Sequence, residues 1–368
     1  MKGEGKSGDL AIIFDRRKDR FIGLGLYDPD SPIRIKVLHQ GSPAKVDQSF
    51  WANKVAVARA LRENLLATET NSYRLLNGES DGFPGLIADV YAHVLVIKVY
   101  SLIWAPWLKA ILEELLKVSD CKTVVLRLSR RVAGATDKPA DWEDGIILQG
   151  QLEDEEIVFR EHGILLKANV LQGHKTGFFL DHRHNRKRVG ELAEGKSVLD
   201  IFSYAGGFSV HALGGGANEV TALDISEQAL SVARENVALN FPATDNFQTL
   251  SGDAFEVLDK LAQRRMTYDL VVCDPPSFAK SENEIEGALK AYRRLTKLTV
   301  PLVAKGGILL AASCSARVDA DTFFALQHAV LTEIGRPYEV IERTHHDLDH
   351  PATFREGNYL KSVYLRLL

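Results

Sequence analysis

Short apolar runs and stretches of helical period divide the chain into two regimes. In the C-terminal part they alternate strictly. KSVLDIF (196–202), EVTALDI (219–225), FQTLSGD, YDLVVCD (268–274) and GGILLAASCS (306–315) read as strands. Between them GGFSVHAL (206–213), SEQALSVARENVALN (226–240), AFEVLDKLAQR and a segment near 284–304 read as helices, with Ser226 placed as an N-cap. Strands separated by helices predict a parallel sheet covered on both faces.

The earlier part does not alternate. LAIIF (10–14) and IRIKVL (33–38) are strand-like, with DRR and YDPDSP as turns. SFWANKVAVARALRENLL (49–66) predicts one helix with Val55, Ala58, Leu61 and Leu65 on its buried stripe. YRLLNGESDGFPGLIADVYAHVLVIKVYS (73–101) reads as strands punctuated by Asn-Gly, Asp-Gly and Pro-Gly. WAPWLKAILEELLKV (104–118) then reads as a helix and KTVVLRLS (122–129) as a strand, an α+β block. Trp51, Trp104 and Trp107 fall on helical faces and are expected in the core.

Composition narrows the class. The chain has 368 residues, 45% hydrophobic and 26% charged, enough for two or three soluble domains with a large core. No run of 18 apolar residues suggests a membrane span, and MKGEGKSGDLAIIF lacks a signal-peptide pattern. Three scattered cysteines, with no CxxC, fit a reducing cytoplasm better than a disulfide or zinc scaffold. The net charge of −4 argues against a chain coated in nucleic acid, but not against a local basic groove.

The strand ends carry the candidate chemistry, because ligands of a doubly wound sheet bind beyond the carboxyl ends of its strands. Asp200 lies in the first strand, and Gly206-Gly207 turn into the next helix, where a ligand can approach backbone amides. The pattern is not GxGxxG. Asp224 ends the second strand and can accept from a ribose; Asp253 follows the third and can accept from an adenine amino group. Three acids and a glycine turn, without a P-loop lysine, suit an adenosine without phosphates, such as S-adenosylmethionine. The plainer alternative is a doubly wound fold with capping aspartates.

The fourth strand ends in CDPPSF (273–278), whose prolines fix an extended turn beside Asp274. Asp/Asn-Pro-Pro-x-aromatic at such a place is a signature of methyltransferases acting on nitrogen and occurs in some acting on carbon. In LLAASCSARV (309–318) a buried run stops at Ser-Cys-Ser. Its strand is expected beside that of Asp274, with Cys314 at the rim. C5 of a pyrimidine is not nucleophilic by itself; a thiolate adding to C6 makes it so. Cys314 meets that need, against the alternative of a structural thiol. Cys273 is expected to face the core, since its neighbour Asp274 faces the other way; Cys121 lies in a different block.

Together YRLLNGESDGFPGLIAD, QGHKTGFFLDHRHNR, IFSYAGGFSVHAL, CDPPSFAKS, SCS and HPATFREGNYLK resemble the class I large-subunit rRNA methyltransferases, cytosine-C5 branch. The resemblance runs from about residue 8 to the C-terminus. It implies a Rossmann-like methyltransferase domain (166–368), preceded by an α+β middle domain (47–165) and a partial PUA-like RNA-binding β domain (1–46). It implies S-adenosylmethionine as methyl donor and 23S rRNA, free or in a large-subunit particle, as substrate. The turn with Phe202, Tyr204, Gly206 and Gly207, together with Asp200, would hold the methionine part. Asp224 would take the ribose and Asp253 the adenine. Asp274 would contact the base and Cys314 would attack it. From a flap at 176–186, Phe179, Asp181 and Arg183 would approach cofactor or base.

Three departures from the family stand out. An earlier PUA segment with an HPWVF-like motif has no counterpart here, so that domain is expected only in part. His182 stands where the flap often has Gln. Pro276 stands where other RNA cytosine-C5 enzymes carry a second cysteine, so one cysteine must both attack and be released. HRHNRKR (182–188) is expected to steer phosphate or to be a solvated helix start. RRKDR (16–20) reads as a solvated turn, and THHDLDH (344–350) is not expected to bind metal. Two other functions remain open. A guanine-N2 methyltransferase would suit DPPSF, and a non-catalytic RNA-binding assembly factor would keep only the fold. Oligomeric state, including a homodimer, is left open.

Overall fold

A computed structural model gives the structure of residues 5–15 and 17–368. Residues 1–4 of the N-terminal segment and Arg16 of RRKDR lie outside the described residues. The chain forms two compact units. The first comprises the residues up to Gly163 with Lys167–Leu180 and Leu348–Thr353; the second comprises Ile164–Leu166, Asp181–Asp347 and Phe354–Leu368. Among the described residues no helix is long and apolar enough to cross a membrane.

The first unit opens with an antiparallel sheet of β1 (Leu10–Asp15), β2 (Arg20–Tyr27) and β3 (Ile35–Gln40). The middle strand was not evident in the sequence, because Gly23 and Gly25 read as loop residues. They are small for a packing reason: a Cβ on Gly23 would lie 2.6 Å from the His39 carbonyl oxygen, and one on Gly25 would meet that of Lys36. Leu24, Leu26 and Leu38 pack into the same core as Trp51, Phe83 and Trp104. Trp107, partly buried, donates its indole N–H to the Gly8 carbonyl at 2.8 Å.

The expected helix 49–66 is broken in two, α1 (Gln48–Ala60) and α2 (Glu63–Leu66). Val55, Ala58 and Leu65 are buried as expected, but Leu61 is 54% exposed. The break turns Arg62 inward instead. Its guanidinium pairs bidentately with Asp81 at 2.9 and 2.6 Å and donates to the carbonyls of Arg74, Ala58 and Asp349. All five of its N–H donors are thereby used, which is what makes its complete burial tolerable. A five-stranded sheet follows, β4 (Ser72–Asn77), β5 (Leu86–Tyr91), β6 (Val94–Val99), β7 (Thr123–Leu128) and β8 (Ile146–Gln149), in that order. The connections include α3 (Leu108–Ser119) and α4 (Arg130–Ala133). Beyond them lie β9 (Glu156–Glu161) and β10 (Ile164–Asn169), the strand along which the chain passes between units.

The second unit starts with α5 (Arg183–Leu192) and then alternates β11 (Ser197–Ile201), α6 (Gly207–Gly214), β12 (Glu219–Asp224), α7 (Glu227–Asn240), β13 (Phe247–Ser251), α8 (Ala254–Gln263) and β14 (Tyr268–Cys273). It closes with α9 (Ile285–Thr299), β15 (Val303–Ser313), α10 (Ala320–Ile334), β16 (Tyr338–Thr344) and β17 (Lys361–Leu367). The seven strands lie in the order β13-β12-β11-β14-β15-β17-β16, parallel except where β17 pairs with its neighbours. The central strands are buried on both faces and read as apolar runs: Ile308 to Ala312 of β15 are all buried. From β11 the order runs one way through β12 and the other way through β14. Such a switch point opens a crevice at the carboxyl ends.

Candidate active site

The turn after β11 is shaped by three left-handed residues, Phe202 (φ 64°), Tyr204 (φ 50°) and Gly206 (φ 74°). Two of them are not glycine, at a cost of about 1–3 kcal/mol each. Hydrogen bonds hold them there. The Ser203 amide donates to the Leu223 carbonyl, the Tyr204 amide to Asp224 Oδ2 at 2.9 Å, and buried Asn236 donates to the Ala205 carbonyl at 2.8 Å. Gly206 needs its missing side chain, since a Cβ there would lie 2.8 Å from that of Ala233. It caps α6 without a side-chain bond, so the helix N-terminus beginning at Gly207 keeps amides that can face a ligand.

The three aspartates expected to hold the cofactor sit in unlike settings. Asp200 is buried; its Oδ2 accepts from the Ser209 amide (3.1 Å) and hydroxyl (2.7 Å), while Oδ1 has no hydrogen-bond partner among the described residues. Burial pushes its acid up to about 7, with the charges of Asp274 and Asp224 adding and the Ser209 bonds opposing. Asp224 accepts the Tyr204 amide on Oδ2 and the Ser226 amide on Oδ1, both at 2.9 Å, and each oxygen retains a further lone pair. Asp253 is exposed and caps α8 through Oδ1, which takes the amides of Phe255 and Glu256. Oδ2 takes no part in that cap, so capping does not exclude a ligand role.

β14 and β15 are parallel neighbours, with Cys273 opposite Ala311, so the turns carrying Asp274 and Cys314 lie side by side. The serines flanking Cys314 face inward. Ser313 bonds the Tyr292 hydroxyl at 2.9 Å, and Ser315 donates to the Ala279 carbonyl at 3.2 Å. Cys314, half-buried between them, has its Sγ 3.8 Å from the Pro275 carbonyl. The other two thiols are buried, and burial pushes both up in pKa, Cys121 to about 11 and Cys273 further.

His182 was not singled out as a site residue, yet its Nε2 lies 3.2 Å from Asp274 Oδ1, off the alignment of a good hydrogen bond. Its protonation follows from its neighbours. Asn185 Oδ1 accepts from the hydroxyls of Thr344 (2.7 Å) and Tyr364 (3.1 Å), so Asn185 Nδ2 is the donor facing His182 Nδ1 at 3.1 Å. Nδ1 is then an acceptor, and the neutral ring carries its proton on Nε2, toward Asp274. Within the cluster HRHNRKR, His182, Arg183, Asn185 and Arg186 are buried, while His184 and Lys187 are exposed and Arg188 is partly exposed.

Asp181 Oδ2 accepts from the Tyr359 hydroxyl at 2.7 Å, and Arg183 donates to Asp347 Oδ2 at 3.3 Å. The second unit thus carries Asp181, Arg183, Asp200, Phe202, Tyr204, Gly206, Gly207, Asp224, Asp253, Asp274 and Cys314. Phe179 is not among them; it belongs to the first unit, where the Lys175 ammonium lies 4.7 Å over its ring. Residues missed in the sequence are His182, Ser209 and Lys361. The signal for Lys361 was present: it ends the motif HPATFREGNYLK and opens the mostly buried strand KSVYLRL.

This arrangement fits S-adenosylmethionine. A buried carboxylate oxygen without a partner suits a cationic ligand. The side-chain-free start of α6 suits a carboxylate, and Asp224 and Asp253 can accept from hydroxyl and amino groups. In THHDLDH, His346 Nε2 accepts the Leu360 amide at 3.3 Å.

The comparisons agree on the class. A family described as S-adenosylmethionine-dependent methyltransferase matches residues 84–352, and one described as a PUA-like domain matches residues 1–40. A ribosomal RNA large subunit methyltransferase of Deinococcus radiodurans is 46% identical over 371 residues, covering 99% of this chain and 90% of its own. A ribosomal RNA large subunit methyltransferase I of Shewanella frigidimarina is 32% identical, covering 99% and 92%. In fold, a SAM-dependent methyltransferase from Streptococcus mutans matches with TM-score 0.82 at 21% identity, covering 99% of this chain and 93% of that one. A methyltransferase solved with SAH matches with TM-score 0.83 at 21% identity, covering 99% and 92%.

Proposed function

Because the chain belongs to the S-adenosylmethionine-dependent methyltransferase family, we propose that it methylates C5 of a cytosine in large-subunit ribosomal RNA, in the cytoplasm, through a covalent adduct on Cys314. The substrate class is taken from the names of its relatives. The observation that carries the carbon reading is Cys314 itself: a half-buried thiol beside the Asp274 turn, between two serines committed to the interior.

S-adenosylmethionine supplies an electrophilic methyl group when bound. Asp200, Phe202, Tyr204, Gly206, Gly207, Asp224 and Asp253 would hold it, with Asp181 and Arg183 alongside. The Cys314 thiolate adds to C6 of the cytosine, turning C5 into an enamine carbon that can take the methyl. Asp274 accepts from the N4 amino group and orients the ring, and His182 Nε2–H steadies its carboxylate. Loss of the C5 proton to water restores the C5=C6 bond and expels the Cys314 thiolate. The division into residues 1–46, 47–165 and 166–368 goes with this reading, the PUA-like part serving RNA docking.

Nucleosides from rRNA incubated with the protein and labelled cofactor should carry the label in 5-methylcytidine. Label in N2-methylguanosine would instead favour the nitrogen reading. RNA with 5-fluorocytosine at the target cannot lose a proton at C5, so it should trap a denaturant-resistant adduct. Cys314→Ser should abolish both trapping and turnover, because a serine hydroxyl is scarcely ionised at neutral pH. Comparable methylation by Cys314→Ser would overturn the nucleophile.

A further inference from the structure

Lys361 has no part in the scheme above. It opens β17 and lies directly across from Ser313 in the antiparallel pairing with β15, one residue from Cys314. Its side chain is buried, and its ammonium donates to the backbone carbonyls of Ser315, Val318 and Tyr359. Each of its three protons is thus taken by a carbonyl, none by a carboxylate. Two of those carbonyls belong to the turn that follows Cys314. Desolvating an ammonium is costly, and a neutral side chain of similar length could fill the same space. The charge, more than the shape, asks for an explanation.

We propose that Lys361 is a positioning residue for Cys314: its ammonium holds the 315–318 turn by its carbonyls and supplies the positive charge that favours the Cys314 thiolate. This rests on the reading of Cys314 as the nucleophile. Burial lowers the Lys361 ammonium to about 8, while the charges of Cys314 and Asp319 pull it upward. By reciprocity the same pairing favours an ionised Cys314. The groups opposing a thiolate here are the Asp274 carboxylate and the Pro275 carbonyl that faces Sγ. Cys273 and Tyr292 are held neutral by burial. Arg183 directs its guanidinium to Asp347. An ordinary cysteine, with a pKa of about 8.5, is only a few per cent ionised at neutral pH. A cation beside it therefore changes the reactive fraction directly.

The test is the pH dependence of Cys314 alkylation by iodoacetamide, read on its peptide by mass spectrometry in the full-length protein. Cys121 and Cys273 serve as internal references, and unfolding curves confirm that each variant folds. Lys361→Gln keeps a donor for the carbonyls but removes the charge. It should slow alkylation of Cys314 at pH 7 by about three- to tenfold, a tenfold change matching one pKa unit in thiolate fraction. The curves should converge above about pH 9, where the wild-type lysine is itself neutral. Lys361→Arg should restore the wild-type profile. Identical profiles for wild type and Lys361→Gln, or a glutamine-like profile for Lys361→Arg, overturn the proposal. If a variant fails to fold, the wild-type profile decides: an inflection clearly below about 8.5 supports the proposal and one at or above it overturns it. Alkylation needs no RNA and no methyl transfer. A lysine-dependent thiol together with an active Cys314→Ser would therefore sink the nucleophile reading alone.

Discussion

Asp200 makes the stability of the second unit depend on pH in the direction opposite to most carboxylates. Its acid is raised from 3.8 to about 7, chiefly by burial in β11. The protonated form therefore suits the folded state better than the ionised form does. The stabilising contribution is complete below about pH 4 and is lost as pH rises through about 7. At about 1.4 kcal/mol for each tenfold change in proton affinity, that step corresponds to about 4 kcal/mol. Asp200→Asn removes the titration. The amide oxygen can still accept from Ser209, while the amide nitrogen replaces the oxygen that has no partner, at a pH-independent cost of about 1–3 kcal/mol. The absolute stability of the variant can thus move either way, but its slope against pH cannot. Urea unfolding at pH 5 and pH 7, followed by circular dichroism, should show wild type losing about 2–3 kcal/mol more than Asp200→Asn over that interval. The four tryptophans, Trp51, Trp104, Trp107 and Trp142, all lie in the first unit, so their fluorescence tracks that unit separately. Equal slopes for both proteins in the second-unit transition would refute the reasoning, because they would mean that Asp200 is ionised throughout.

Two further outcomes follow from the site. Asp224→Ala should weaken S-adenosylmethionine binding by about 1–3 kcal/mol, the penalty for losing a hydrogen-bonding carboxylate; calorimetry with unchanged affinity would remove Asp224 from the ribose position. Asp274→Asn should bind the cofactor almost as wild type does and yet transfer methyl groups slowly, and a wild-type turnover rate would rule out its contact with the base.

Much of the second unit was legible because period and chemistry coincide there. Apolar strands, a capping Ser226 and acids at strand ends point to one doubly wound answer, and every one of those strands formed. The failures have physical causes. β2 was hidden because Gly23 and Gly25, chosen by close cross-strand carbonyls, look like loop residues in one dimension. Leu61 was placed inside because helical periodicity knows nothing of the buried Asp81 that draws Arg62 inward and breaks the helix. In the site, Asp274 and Cys314 could be paired because consecutive strands joined by a crossover helix commonly lie side by side, as β14 and β15 do. Lys361 and His182 could not. Each acts across a separation in sequence that no local pattern encodes, Lys361 on a turn 43 residues earlier at Val318 and His182 on Asp274.

The acceptor that completes the burial of Arg62 is a carbonyl 287 residues downstream, and the Asp349 carboxylate likewise takes the Arg74 amide at 2.8 Å across 275 residues. The first unit is therefore not a cassette. A ribosome that has made residues 1–180 has made most of its strands but not the segment that satisfies this buried guanidinium. Loop closure over such a span is slow and comes late. The second unit's sheet strands β11 to β16 are all synthesised before residue 349 arrives, so the part begun first is the part finished last. Severing the chain between the units, or transplanting residues 1–180 as a separate module, would leave the Arg62 charge in the interior with one of its acceptors missing.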